Sequence, residues 1–319
     1  MKLILSIALA LAATSFGAFA QDYPSRPVKI IVPTAPGTGT DATARFIADR
    51  LGKEWNAGVV VENKVGANGS IAAEFAAKSP PDGYTLLMGF SGLFVNKSLY
   101  SNIPYDPVKD FRMLIGVNEL YLALVVPVNS PFKSVKDLVE QAARNPGKVT
   151  FGSAGSGSTT HLGPALLGSM ATVKFMHVPY KGGAQAITDT ISGQVDFAMT
   201  AIATAAPQIA GGRLRALAVS GPHRAKGYPN TPTLAESGYP GYNVASATYL
   251  AVPAGTPDAV AMKIIAAVDR IVRTPDYQKF LEVQGFEPET TPASAYGAKA
   301  AEEVKHWAEV VRLTGAKVD

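Results

Sequence analysis

The chain has 319 residues, 47% of them hydrophobic and 17% charged, with a formal net charge of +4 and no cysteine. That apolar content excludes intrinsic disorder, and the missing thiols exclude disulfide scaffolds, cysteine nucleophiles and cysteine-ligated metals. So small a positive excess is no nucleic-acid footprint, and the length points to two domains of roughly 100–200 residues each.

Met1-Lys2 supplies a short positive start, Leu3 to Ala13 an apolar stretch, and Ala18-Phe19-Ala20 a small-x-small site before Gln21. This pattern predicts a cleaved secretory signal peptide over residues 1–20. The apolar stretch is too short for a comfortable membrane span.

Val28–Val32 then reads as a strand, followed by Ala44, Ile47, Ala48, Leu51 and Trp55 at helical spacing. Val59–Glu62 is a second strand, Ile71–Ala77 a helix, and Thr85–Gly89 a third strand announced by the turn Pro80-Pro81-Asp82-Gly83. Tyr121–Val126 is a strand, and Ser134-Val135-Lys136-Asp137 after it is a capping box that opens a helix. Further strands fall at Val149–Gly152, Lys174–Val178, Val195–Met199 and Leu214–Val219, with helices starting near Thr159 and Ala184. Beyond Val244–Val252, Thr256 is read as the cap and Pro257 as the first residue of a helix whose Val260, Ile264, Ala267, Val268 and Ile271 share a face. The last helix, around Val304, Trp307, Ala308 and Val311, ends near Gly315. This alternation predicts parallel α/β sheets with helices on both faces. Boundaries near 123 and 245 divide the mature chain into one lobe of 21–123 plus 245–319 and a second of 124–244, joined by crossing strands.

Four glycine- and hydroxyl-rich loops follow strands: Pro33 to Asp41, Gly89 to Gly92, Ser153 to Thr160, and Lys181 to Ala184. In open α/β sheets, ligands bind beyond the carboxyl ends of strands, where helix-starting N–H groups attract anions. Apart from Lys181 and Asp41 these loops are uncharged, so anion binding would rest on helix starts and neutral donors. Asp41 is expected to complement its helix dipole.

Catalytic signals are weak. Gly37-Thr38-Gly39-Thr40-Asp41-Ala42 matches G-x-G-x-x-A, but Pro33 and Pro36 separate it from its strand, unlike a dinucleotide-binding turn. No G-x-S-x-G is present, and His161, His177, His223 and His306 lack metal-ligand spacing. No cofactor, metal or catalytic residue is therefore expected, and Trp55 and Trp307 are read as packing residues.

Longer motifs occur in one order: Tyr23-Pro24-Ser25-Arg26-Pro27, Val61-Glu62-Asn63, Pro81-Asp82-Gly83-Tyr84-Thr85-Leu86-Leu87, Pro104-Tyr105-Asp106-Pro107-Val108-Lys109-Asp110-Phe111, Phe151-Gly152-Ser153-Ala154-Gly155, Val178-Pro179-Tyr180-Lys181-Gly182-Gly183-Ala184, Gly193-Gln194-Val195-Asp196, Leu214-Arg215-Ala216-Leu217-Ala218-Val219 and Pro253-Ala254-Gly255-Thr256-Pro257. Together they resemble the Bug, or TctC-like, receptors of tripartite tricarboxylate transporters. The resemblance implies a periplasmic-binding-protein (Venus-flytrap) fold, a monomer in the periplasm that closes on a small carboxylate and delivers it to integral-membrane permease subunits. Its implied ligand-binding set is Gly37, Thr38, Gly39, Thr40 and Asp41, then Ser91, then Ser153, Gly155, Ser156, Gly157, Ser158 and Thr159, with Lys181, Gly182 and Thr200 beside them. Thr34, Ala35 and Thr38 depart from the family's usual P-F-P-P-G-G-G-T-D loop, and Met199 to Thr204 is less polar than the family pattern. A mono- or dicarboxylate with an apolar or aromatic body is the expected ligand. The competing readings are a periplasmic enzyme acting on a carboxylated molecule and a sensor for a membrane kinase.

Overall fold

The computed structural model describes residues 23–317. The expected signal peptide, with its cleavage site after Ala20, lies outside the described residues. No helix among the described residues is long and apolar enough to cross a membrane.

The first lobe is built on β1 (Val28–Val32), β2 (Val59–Asn63), β3 (Thr85–Gly89), β4 (Phe111–Leu120), β10 (Ser246–Pro253) and β11 (Glu287–Pro288), in the order β11-β4-β10-β3-β1-β2. Helices α1 (Gly39–Trp55), α2 (Ser70–Ala77) and α3 (Gly92–Leu99) follow β1, β2 and β3, while α8 (Asp258–Val272) and α9 (Pro275–Gln284) follow β10. In β1, Ile30 and Val32 join a core with Ile47, Leu51, Ile264 and Val268, whereas Ile31 faces the other way into a second core. Burial on both faces is why Ile30, Ile31 and Val32 follow one another as apolar residues rather than alternating with polar ones, Lys29 alone being exposed.

The second lobe carries β5 (Leu122–Pro127), β6 (Thr150–Ser153), β7 (Met176–Pro179), β8 (Phe197–Ala201) and β9 (Leu214–Val219), in the order β7-β6-β8-β5-β9. Its helices are α4 (Val135–Arg144), α5 (Thr159–Met170), α6 (Gly183–Ile191) and α7 (Ile202–Ala210). The Ser134 capping box on α4 forms as expected, with both reciprocal hydrogen bonds present. At α8 the cap shifts by one residue: Pro257 occupies the N-cap, and the Thr256 hydroxyl instead donates to the Pro253 carbonyl.

The sheets are mixed, not wholly parallel. β10 runs antiparallel to both β3 and β4, and β5 antiparallel to both β8 and β9. The first crossing falls at Tyr121, since β4 ends at Leu120 and β5 begins at Leu122; the return enters β10 at Ser246. Residues 122 and 123 thus already belong to the second sheet. The last helix, α10 (Tyr296–Thr314), packs on α3 of the first lobe and on α5 of the second, so the carboxyl-terminal segment serves both lobes.

Strand register places the loops. Gly89, the end of β3, pairs with Tyr249 near the start of β10, and Ala201, the end of β8, pairs with Leu122 at the start of β5. The carboxyl ends of β3 and β8 therefore both lie at the crossing. Because β1 runs parallel to β3 and β6 parallel to β8, the loops after β1, β3, β6 and β8 open on the side between the lobes.

Candidate functional site

In the first loop the side chains bond chiefly to one another. Thr38 is the N-cap of α1: its Oγ1 accepts from the Asp41 amide (3.4 Å), donates to the Ala35 carbonyl (2.9 Å) and meets Thr34 Oγ1 at 2.7 Å. A hydroxyl has one proton, so with that of Thr38 on Ala35, Thr34 donates to Thr38. The two threonines that depart from the family pattern thus engage each other.

Asp41 is buried and does not present its carboxylate as a ligand contact. It accepts from the Gly37 amide (2.9 Å), from Arg45 Nε and Nη2 (2.9 and 3.0 Å) and from Asn63 Nδ2 (2.8 Å). Burial pushes this carboxyl up, but the hydrogen bonds from Arg45, Asn63 and Gly37, with the guanidinium charge, outweigh it and hold it below its ordinary value. Asp41 is thereby the brace of the loop. Gly37 adopts φ +84°, which favours glycine; Gly39 is needed for space, since a Cβ there would lie 2.4 Å from Phe286 Cζ.

The second loop is organised in the same way. Ser158 caps α5 by accepting from the His161 amide, donates to the Gly155 carbonyl (2.7 Å) and meets Thr160 Oγ1 at 2.8 Å. Thr160 Oγ1 accepts from the Ala154 amide (2.9 Å). Ser153 is completely buried; its Oγ lies 2.6 Å from His177 Nε2, accepts from the Gly155 amide (3.1 Å) and donates to the Gly155 carbonyl (3.3 Å). That serine–imidazole spacing is the spacing of a nucleophile and its base. Here the hydroxyl is buried, and among the described residues no carboxylate is hydrogen-bonded to either His177 or His161.

What remains unengaged is backbone. Among the described residues, the amides of Gly39 and Thr40 at the start of α1, and of Thr159 and Thr160 at the start of α5, have no intrachain hydrogen-bond acceptor. These are the orphan donors that every helix start leaves. Ser156 is exposed and Thr159 half-buried, and Gly157 takes φ +78° to turn the chain into the helix.

The other expected positions divide. Ser91 is buried and holds the crossing, accepting from Ser246 Oγ at 2.8 Å and donating its amide to the same oxygen at 3.4 Å. Thr200 is buried on β8, opposite Ala123. Lys181 and Gly182 line a shallow cavity of about 570 Å³ with Tyr180 and Gln185, and the Tyr180 carbonyl lies against Gly155 of the neighbouring loop.

Three features escaped the sequence reading. Gly66-Ala67-Asn68-Gly69 follows β2 at the same end of the sheet, and buried Asn96 fixes it through the Asn68 carbonyl (3.0 Å) and Ser70 Oγ (2.9 Å). Its glycine and asparagine content was the available signal. Phe286 and Gly285 arrive from beyond α9: Phe286 covers Gly39, and a Cβ on Gly285 would lie 2.9 Å from the Ala203 nitrogen in the second lobe. His161 and His177 stack with ring centroids 4.0 Å apart.

Comparison with known proteins bears directly on this arrangement. Residues 43–315 match the family model for TctC, the tripartite tricarboxylate transporter family receptor. Protein BugT of Bordetella pertussis is 32% identical over 317 residues, covering 99% of this chain and 97% of BugT. A UPF0065 protein from the tcbD-tcbE intergenic region of Pseudomonas sp. strain P51 is 34% identical over 97% of this chain and 93% of its own. Among solved structures, R. palustris Rpa4515 with adipate superposes with TM-score 0.82 at 32% identity, over 93% of this chain and all of that one. MatC of Rhodopseudomonas palustris with bound malate gives 0.77 at 30% identity, over 91% of this chain and all of that one. A family model across most of the chain, full-length relatives above 30% identity and a matching two-lobed fold lead to one conclusion: the chain belongs to the TctC family of tripartite tricarboxylate transporter receptors.

Proposed function

We propose that the protein captures a small carboxylate between its lobes in the periplasm and delivers it to the integral-membrane permease of a tripartite transporter, acting as a monomer without a cofactor and without turnover. The observation that carries this reading is the division of donors: hydroxyls at Thr34, Thr38, Ser153 and Ser158 are bonded within the loops, while the amides of Gly39, Thr40, Thr159 and Thr160 are not. Two helix starts, one from each lobe, supply an uncharged grip for carboxylate oxygens. Ser156, Thr159 and Lys181 add side-chain donors at the rim, and Gly37, Gly155, Gly157 and Gly182 let the backbone turn toward the ligand. Relatives of this fold are known with adipate and with malate.

Neutral donors compensate one or two negative charges better than three once water is excluded. A mono- or dicarboxylate with an apolar or aromatic body should therefore outbind citrate. Residues 21–319 titrated with adipate, terephthalate, malate and citrate test this, with ligand at 100 times its dissociation constant adding about 2.7 kcal/mol of stability. The ligand should be recovered unchanged. Citrate binding tightest would overturn the account of the lining, and turnover would overturn the receptor.

A further inference from the structure

We propose that His161 and His177 are positioning residues for the second-lobe loop: an uncharged stacked pair whose ring nitrogens hold Gly157 and Ser153 in the geometry that presents the α5 amides, and whose protonation releases it. The inference rests on reading residues 153–160 as a binding loop, and adds what controls that loop's shape.

Register brings the parts together. β6 and β7 pair in parallel with Phe151 opposite His177, so Phe151, Ser153 and His177 share one face of the sheet. His161, the third residue of α5, lies over that face, its ring 4.0 Å from that of His177 at an interplanar angle of 15°. Phe151 packs against both rings, its centroid 4.9 Å from that of His177 and 6.2 Å from that of His161.

The His161 ring has one bond that requires it to be neutral. His161 occupies the helix position where a capping box places a glutamate or glutamine that reaches back to the entering chain. Here the imidazole performs that task, its Nδ1 accepting from the Gly157 amide at 3.1 Å. An imidazolium has no acceptor, so a second proton on His161 turns this contact into two opposed donors. Ser153 Oγ accepts from the Gly155 amide at 3.1 Å, donates to the Gly155 carbonyl at 3.3 Å and lies 2.6 Å from His177 Nε2, which ties the second ring to the same loop.

The surroundings oppose charge on either ring. The rings back onto a cavity of about 350 Å³ lined also by Phe151 and Phe175, by Lys174 before β7, and by Leu313 and Thr314 at the end of α10. Among the described residues, the titratable groups facing the pair are thus each other and Lys174, and no carboxylate of those residues lines this cavity. Burial, then the charge of His161, push His177 down to about 4, and burial lowers His161.

Three proteins decide the matter: wild type, the double variant His161→Gln/His177→Gln, whose amides can accept without titrating, and His161→Leu, which cannot accept. Calorimetry with adipate and with malate, from about pH 7.5 down to about pH 3.5, is paired with amide-exchange protection of residues 153–161 in the ligand-free protein. Wild type should lose loop protection and about tenfold in affinity toward the acid end. The glutamine variant should keep both, apart from the ligand's own titration, and His161→Leu should be weakened about tenfold throughout. Unchanged wild-type protection, an identical acid profile in the glutamine variant, or full affinity in His161→Leu would each overturn the proposal. Should neither acid bind at any pH, the receptor assignment of these ligands fails, while the exchange profile still decides whether the histidines hold the loop.

Discussion

Gly39→Ala probes the seam between the first-lobe loop and the segment that reaches the second lobe. The new methyl would lie 2.4 Å from Phe286 Cζ, against ordinary contact of 3.4 Å or more, so the ring must move by about 1 Å. Phe286 is 9% exposed and belongs to the lobe core, which leaves little free space. Forcing a methyl into packed surroundings costs about 1–3 kcal/mol, whereas replacing a helical glycine by alanine contributes roughly 0.5–1 kcal/mol. The steric cost wins, with a net loss of about 1–2 kcal/mol. Since Gly285, next to Phe286, abuts Ala203 of the second lobe, displacement of the ring also disturbs the contact between lobes. About tenfold in adipate affinity should be lost with the stability. Phe286→Ala supplies the second axis of a double-mutant cycle. Without the ring, Gly39→Ala should become neutral or stabilising, by urea denaturation and by calorimetry alike. The same cost for Gly39→Ala in both backgrounds would refute the reasoning, because the clash would then not be with Phe286.

Asp41→Asn should lose roughly 1–3 kcal/mol of stability, since it weakens the bonds that Arg45, Asn63 and Gly37 make to the carboxylate. The Asp41 carboxyl is held below its ordinary value, so its contribution is complete above the usual carboxylate range and disappears as pH falls through the lowered value. Melting temperatures of wild type and Asp41→Asn should therefore converge in acid, and a constant gap would count against the brace. Ser158→Ala removes an N-cap and should cost about 1 kcal/mol of stability while leaving adipate affinity per folded molecule unchanged. A tenfold loss of affinity instead would return the hydroxyl to the list of ligand contacts.

The elements legible in the sequence were those with a local mark. β1 and β3 are apolar runs bounded by turns, and the α4 capping box is complete within four residues. β4 had no such mark: Phe111–Leu120 is buried along nearly its whole length, so neither alternation nor helical spacing appears. α7 was hidden by Pro207, which reads as a breaker although it lies within the helix. The antiparallel strands β10 and β5 depend on partners far along the chain, which periodicity cannot name. The binding loops were legible by their place after strands, but not their internal bonding. Nothing local says that Thr34 and Thr38 satisfy each other, that Ser153 meets a histidine across a strand pair, or that Phe286 covers Gly39. The Gly66 to Gly69 loop obeyed the same rule of place and could have been included.

The position of α10 bears on how affinity can be tuned. Trp307, Val310 and Val311 are buried in a core that also holds Leu93 and Phe94 of α3 and Leu162 and Leu166 of α5. One lobe cannot rotate against the other without sliding along this helix or repacking its face. Every arrangement of the lobes therefore has its own packing free energy at α10, and the binding-competent fraction reflects the differences. An observed dissociation constant is the intrinsic one divided by that fraction. A methyl group added or removed at Val310 or Val311 can thus shift affinity for every ligand by the same factor while leaving the ranking of ligands untouched.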